Sequence, residues 1–214
     1  MPSHQQVLES LRGLANDFGG VAVAWHVVTF AALLAIVLLG WRPSRRTAVA
    51  LLSMPLLSVG VLGWVGGNPF TGTLFCLLSL VSAAIATTIP RKRVERGARW
   101  AVVLGGATLV FAWFYPHFLE SRSPALYAVA SPMGVTPCPT LAAVIGFGLV
   151  GAGFGSRTWS LAIGGAGLFY ALFGIFRLGV LLDAGLLASS GTLTLLALRP
   201  VQKRWHAARG GSHA

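Results

Sequence analysis

Acidic residues are scarce in this chain: 5 of its 214 residues, against 16 lysines and arginines. Only 10% of the residues are charged, where a soluble domain carries about 25%. Spans this bare of carboxylates exclude most hydrolase and transferase chemistry, which needs several convergent polar groups. No Gly-rich phosphate loop and no Ser/His/Asp arrangement can be placed, so no enzymatic activity is expected. Cysteine is scarcer still. Cys76 and Cys138 are too few for a disulfide scaffold, and no Cys-x-x-Cys or His-x-x-x-His spacing occurs. Haem would need two facing histidines at one depth, and His26 alone lies well inside an apolar run. No cofactor is expected. The polar start is not expected to be a signal peptide.

Apolar residues are what the chain has in quantity: 55% hydrophobic, with a mean hydropathy of +0.76. They fall in about seven long runs, near 21–40, 47–64, 70–89, 100–116, 138–154, 159–176 and 178–198. Each approaches the length that crosses a hydrocarbon core of about 30 Å. The last two are separated only by Arg177, so six spans remain possible, but forty residues are too many for one span. Trp41, Trp64, Trp100, Trp159 and Trp205 lie at the run ends, as an interfacial aromatic belt requires.

The basic residues occupy every second gap. Arg42, Arg45 and Arg46 follow the first run. Arg91, Lys92, Arg93, Arg96 and Arg99 follow the third. Arg157 follows the fifth, and Arg199, Lys203, Arg204 and Arg209 follow the last. Only Arg12, Arg122 and Arg177 fall on the other side, with Glu9, Asp17, Glu120 and Asp183. This positive-inside pattern predicts an all-α, polytopic transmembrane bundle in a bacterial inner membrane, N-terminus outside and C-terminus cytoplasmic. The net charge of +11 then faces lipid headgroups rather than nucleic acid.

Three regions are expected. Residues 1–20 read as an amphipathic interfacial helix, with Val7, Leu8, Leu11, Leu14, Ala15 and Phe18 at helical spacing and a break at Gly19-Gly20. Residues 21–198 form the bundle, with a kink expected at Pro55. Residues 199–214 form a basic tail. Small residues four apart recur: Ala142 and Gly146, Gly148 and Ala152, Gly151 and Gly155, Ser160 and Gly164, Gly167 and Ala171. They let helices approach closely in lipid. Ordinary packing within one bundle is the preferred reading, and a homo-oligomer or a membrane-complex partner is the alternative.

The long connection from His117 to Pro137 carries the most unusual chemistry. It includes His117, Glu120 and Arg122, an apolar stretch 125–130 too short to span, and the run Met133-Gly134-Val135-Thr136-Pro137-Cys138-Pro139-Thr140. Pro137 and Pro139 fix φ on both sides of Cys138, at the start of the fifth run. Cys138 is expected at a helix N-terminus on the outer side, and to be the more accessible cysteine. His26, Cys76, His117, Met133 and Cys138 raise the possibility of a soft-metal site, but they come from separate elements. Asp183 is the other polar group inside a run, costly there and often functional. Pairing with Arg177 or Arg122 is expected for it.

The stretch Met133–Thr140 resembles the signature of a bacterial integral-membrane family catalogued as a domain of unknown function, some of whose members are labelled permeases. The resemblance covers most of the chain: the amphipathic start, the basic-flanked spans, the Gly-Val-Thr-Pro-Cys-Pro-Thr turn and the short-looped final hairpin. Family members tend to carry a Trp-Pro pair entering the first span, where this chain has Trp25-His26. The resemblance implies a polytopic membrane bundle and brings no established activity with it. Three classes follow: a small transporter, an accessory subunit of a membrane complex, or a thiol or metal protein using Cys138.

Overall fold

A computed structural model describes residues 4–116, 118–119 and 123–199. His117, Glu120, Arg122 and the tail beyond Arg199 lie outside the described residues. Those described are helical apart from turns, loops and one isolated β-bridge. The helices are α1 (His4–Asp17), α2 (Gly19–Val37), α3 (Arg45–Val65), α4 (Pro69–Thr88), α5 (Arg99–Trp113), α6 (Pro124–Ala130), α7 (Pro137–Val150), α8 (Arg157–Leu172) and α9 (Ala184–Leu198).

Five segments are long and apolar enough to cross a membrane: Gly19–Val37, Arg45–Val65, Pro69–Thr88, Arg157–Arg177 and Leu181–Leu198. The other two expected spans are shorter. α5 has 15 residues and α7 has 14, about 22 Å and 21 Å of helix at 1.5 Å per residue. α7 ends early because Ala152, Gly153, Phe154 and Gly155 all adopt left-handed φ, at 51°, 63°, 52° and 67°. Two of these are not glycine, and such backbone costs about 1–2 kcal/mol per residue. Burial of Phe154 edge-on to Trp159, with ring centroids 4.9 Å apart, opposes that cost.

Local signals set the other boundaries. Ser44, Asn68 and Ser156 accept hydrogen bonds from the backbone N–H groups of Thr47, Thr71 and Trp159, capping α3, α4 and α8. Pro69 occupies the first turn of α4. α3 runs on through Pro55 as one helix. The break after α1 falls at Phe18, and Gly19-Gly20 begin α2 instead of separating the two.

Packing follows hairpin pairs: α3 with α4, α5 with α7, α8 with α9. α7 is the centre, touching α3, α5, α8 and α9. Every residue from Ala130 to Gly146 is buried. Glycines make the close crossings. A Cβ on Gly105 would meet the Gly146 carbonyl at 2.7 Å, and one on Gly63 would meet Gly72 at 2.8 Å. Gly164 and Gly167 face Thr194 and Ser190 of α9. The small residues at these positions therefore pack within the chain. Gly151 and Gly155, four apart in sequence, do not share a helix face, because the left-handed turn intervenes.

α1 lies across one end. Leu11, Leu14 and Ala15 are buried. The Ser10 hydroxyl donates to the Gly66 carbonyl at 3.2 Å, and the Asn16 amide donates to that of Phe118 at 3.1 Å.

Candidate functional site

Beneath that end the chain enters α7 through buried, non-helical backbone. In lipid such backbone persists only where its polar groups are satisfied by protein or line a water-filled cavity. The run Ser131–Thr136 meets that demand internally. The Thr136 N–H donates to the Pro132 carbonyl at 2.9 Å, and the Gly134 N–H donates to Thr140 Oγ1 at 2.8 Å. Thr140 Oγ1 in turn donates to the Thr136 carbonyl at 2.7 Å. Pro137 stands at the first position of α7 and Pro139 at the third. A helix start leaves its first four N–H groups without partners. The two prolines remove two of those donors from a buried terminus.

Gly134 has φ +77°, and a Cβ there would strike the Trp25 ring. The Trp25 indole donates to Ser58 Oγ at 3.1 Å, and Ser58 donates to the Gly134 carbonyl at 2.7 Å. The motif is thus tied to α2 and α3 by one hydrogen-bonded chain.

Cys138 and Asp183 are brought together. The Cys138 thiol donates to Asp183 Oδ2 at 3.3 Å, and the Tyr115 hydroxyl donates to Oδ1 at 2.8 Å. Asp183 is 1% exposed, Tyr115 0% and Cys138 8%, so the cluster is closed to solvent. Asp183 sits where the last hairpin is broken. A π-helical turn, Phe173–Arg177, ends α8. Gly179 has φ +70°, and a 3-10 turn, Leu181–Asp183, leads into α9. Asp183 is the residue before α9, yet its side chain makes no cap to that helix. It turns into the bundle, hard against Gly174, where any Cβ would collide with Oδ2.

The expected pairing of Asp183 with Arg177 is not formed. Arg177 is exposed, and the ion pair among the described residues is Arg45–Glu95 at 2.9 Å. Arg122 lies outside them. The accessibility expected of Cys138 is reversed: it is buried, and Cys76 is the partly exposed cysteine, against Gly60 of α3. The reason is that α7 begins inside the bundle rather than at its surface. His26 is buried, with Nδ1 2.8 Å from its own helix's Ala22 carbonyl and Nε2 3.2 Å from that of Trp113. Its ring stands edge-on to Trp113 at 4.7 Å. His26 therefore fastens α2 to the end of α5. Among the described residues no three His, Cys, Asp or Glu side chains gather as a metal site would need.

Tyr115, Gly174 and Ser58 are members of these networks that the sequence did not single out. Tyr115 reads as one more aromatic at a span end, and only the fold places its hydroxyl on Asp183. In comparisons with known proteins, no family model matches the chain, and no curated protein or solved structure is significantly similar to it.

Proposed function

We propose that the chain is a small transporter of permease-like type in the bacterial inner membrane, moving a small solute or ion. In this reading it has seven spans, with α5 and α7 completing the count inside the bundle. α1 lies in the outer interface, the N-terminus is outside and the C-terminus is cytoplasmic.

The observation that carries the reading is a buried carboxyl group at a broken helix, with a donor on each oxygen. Ionisable groups at membrane depth are costly and mark ion and proton paths, and interrupted helices are where transporters place their sites. A π-helical turn beside such a group is a frequent functional mark. Asp183 would bind and release the coupling proton or cation. Tyr115 and Cys138 would hold it in place, and the α8–α9 break would open the route. The test is purified protein in liposomes loaded with a pH-sensitive dye, under an imposed gradient. Wild type should dissipate the gradient and Asp183→Asn should not. Equal rates in wild-type, variant and protein-free vesicles would sink the reading.

One observation favours the alternative, an accessory subunit of a membrane complex. A cleft of about 870 Å³ among the described residues is lined by neither His26 nor Asp183. On that reading Asp183→Asn leaves the host phenotype unchanged, while a tryptophan at Gly165, which has open space around it, abolishes it.

A further inference from the structure

We propose that the cleft beneath α2 is a binding site for an anionic phospholipid of the cytoplasmic leaflet. The inference rests on the membrane orientation given above, but not on transport.

α2 is an arch. Near one end Trp25 is tied to Ser58. Past the other end the chain pairs with the loop after α4, through Val94 N–H to the Pro43 carbonyl at 3.0 Å and Arg45 N–H to that of Lys92 at 2.8 Å. Between these ties α2 stands off, and Ala22 and His26 are its only buried residues. The space beneath has apolar walls: Ala32 and Ile36 of α2, Leu52 and Pro55 of α3, Ala143 and Phe147 of α7. Its length from Trp25 to Val37 is about 18 Å of helix at 1.5 Å per residue. That is close to one leaflet, half of a core about 30 Å thick.

Charge selects the occupant. Arg42, Lys92, Arg93 and Arg96 line one end of the cleft and are exposed. Glu95, the acid at this end, is engaged by Arg45. Four cations over an apolar slot match a phosphodiester with an acyl chain beneath it, and guanidinium groups bind phosphate oxygens in pairs. Basic residues beside a membrane attract anionic lipid in any case; here they sit over a slot that holds the chain. A partner's helix fits less well, because it is about 10 Å across and the arch is tied near both ends.

The test is native mass spectrometry of delipidated protein offered equal amounts of phosphatidylglycerol and phosphatidylcholine. Phosphatidylglycerol should be retained preferentially. Replacing Arg42, Arg93 and Arg96 together with glutamine should weaken that retention about a hundredfold, at about 1 kcal/mol per charge. Arg91→Gln with Arg99→Gln removes two charges from the same basic end, one in the loop and one at the start of α5, both outside the cleft lining, and should leave it unchanged. Ala143→Trp should displace the lipid by filling the slot. All the arginines replaced are exposed, so the comparison stands even if the tryptophan variant fails to fold. Equal retention of both lipids, equal loss in the two arginine sets, or a second copy of the chain bound in place of lipid would each overturn the proposal. The readout is bound lipid mass, so it does not depend on whether Asp183 moves protons.

Discussion

Asp183 shows how one side chain can hold three helices. Its two oxygens accept from Tyr115, just past α5, and from Cys138 in the first turn of α7, while it stands at the start of α9. Removing a buried acceptor leaves its donors unsatisfied, at a cost of about 1–3 kcal/mol. Asp183→Ala should therefore lower stability by about that amount, measured as thermal unfolding in detergent. Tyr115→Phe should couple to it, with an interaction energy of about 0.5–3 kcal/mol in a double-mutant cycle. Strict additivity would mean that the bond is not made. Cys138 gives a second check. Being buried against Asp183, it should resist a small maleimide in detergent until the protein unfolds, whereas Cys76 should react first. Rapid labelling of Cys138 in the folded protein would show that the entrance to α7 is open. Cys138 and Asp183 stand out in the sequence because their types are rare in this chain. Tyr115 does not, because a tyrosine near a span end has an interfacial explanation of its own.

Glycine means different things in different elements here. Gly106 lies in α5 with open space where a Cβ would go. Gly153 lies in the left-handed turn after α7, with φ +63° and Ser160 Oγ at its back. Alanine is better than glycine in a helix by about 1 kcal/mol, and worse in left-handed backbone by about 1–2 kcal/mol. Gly106→Ala should raise the unfolding temperature and Gly153→Ala should lower it. Shifts of the same sign would place residues 151–155 in an ordinary helix. This is also where reading the sequence alone falls short. Small residues four apart look the same whether the backbone is right- or left-handed, so Gly151 and Gly155 read as a helix face. The early ends of α5 and α7 are hidden for a related reason. Hydropathy continues through Phe114, Tyr115 and Phe154, and only the turns that bury Tyr115 and Phe154 show that each helix has stopped. Long apolar helices and the double-proline start of α7 are plain in the sequence, because each depends on local chemistry.

At the scale of the whole molecule, alternate connections gather at opposite ends. The loops after α2, α4 and α7 meet. Ser44 pairs with Arg93, Arg45 with Glu95, the Gly97 N–H donates to the Val150 carbonyl at 2.9 Å, and Arg45 lies beside Gly155. The other end is built from α1, the Gly66 turn and Phe118. The first end carries Arg42, Arg45, Arg46, Arg91, Lys92, Arg93, Arg96 and Arg99, and short basic loops stay on the cytoplasmic side during insertion. Since α9 follows α8 as an antiparallel hairpin, it returns the chain to that basic end, where Arg199 begins the tail. Alkaline phosphatase fused after Ala214 should then be inactive, and a fluorescent protein fused at the same position should glow. The complementary insertion, phosphatase between Gly66 and Gly67, should be active. A C-terminal phosphatase that works, together with an inactive one at Gly66, would invert the molecule. The basic mouth of the α2 cleft would then open to the outer leaflet, and both the orientation and the lipid assignment built on it would have to be given up.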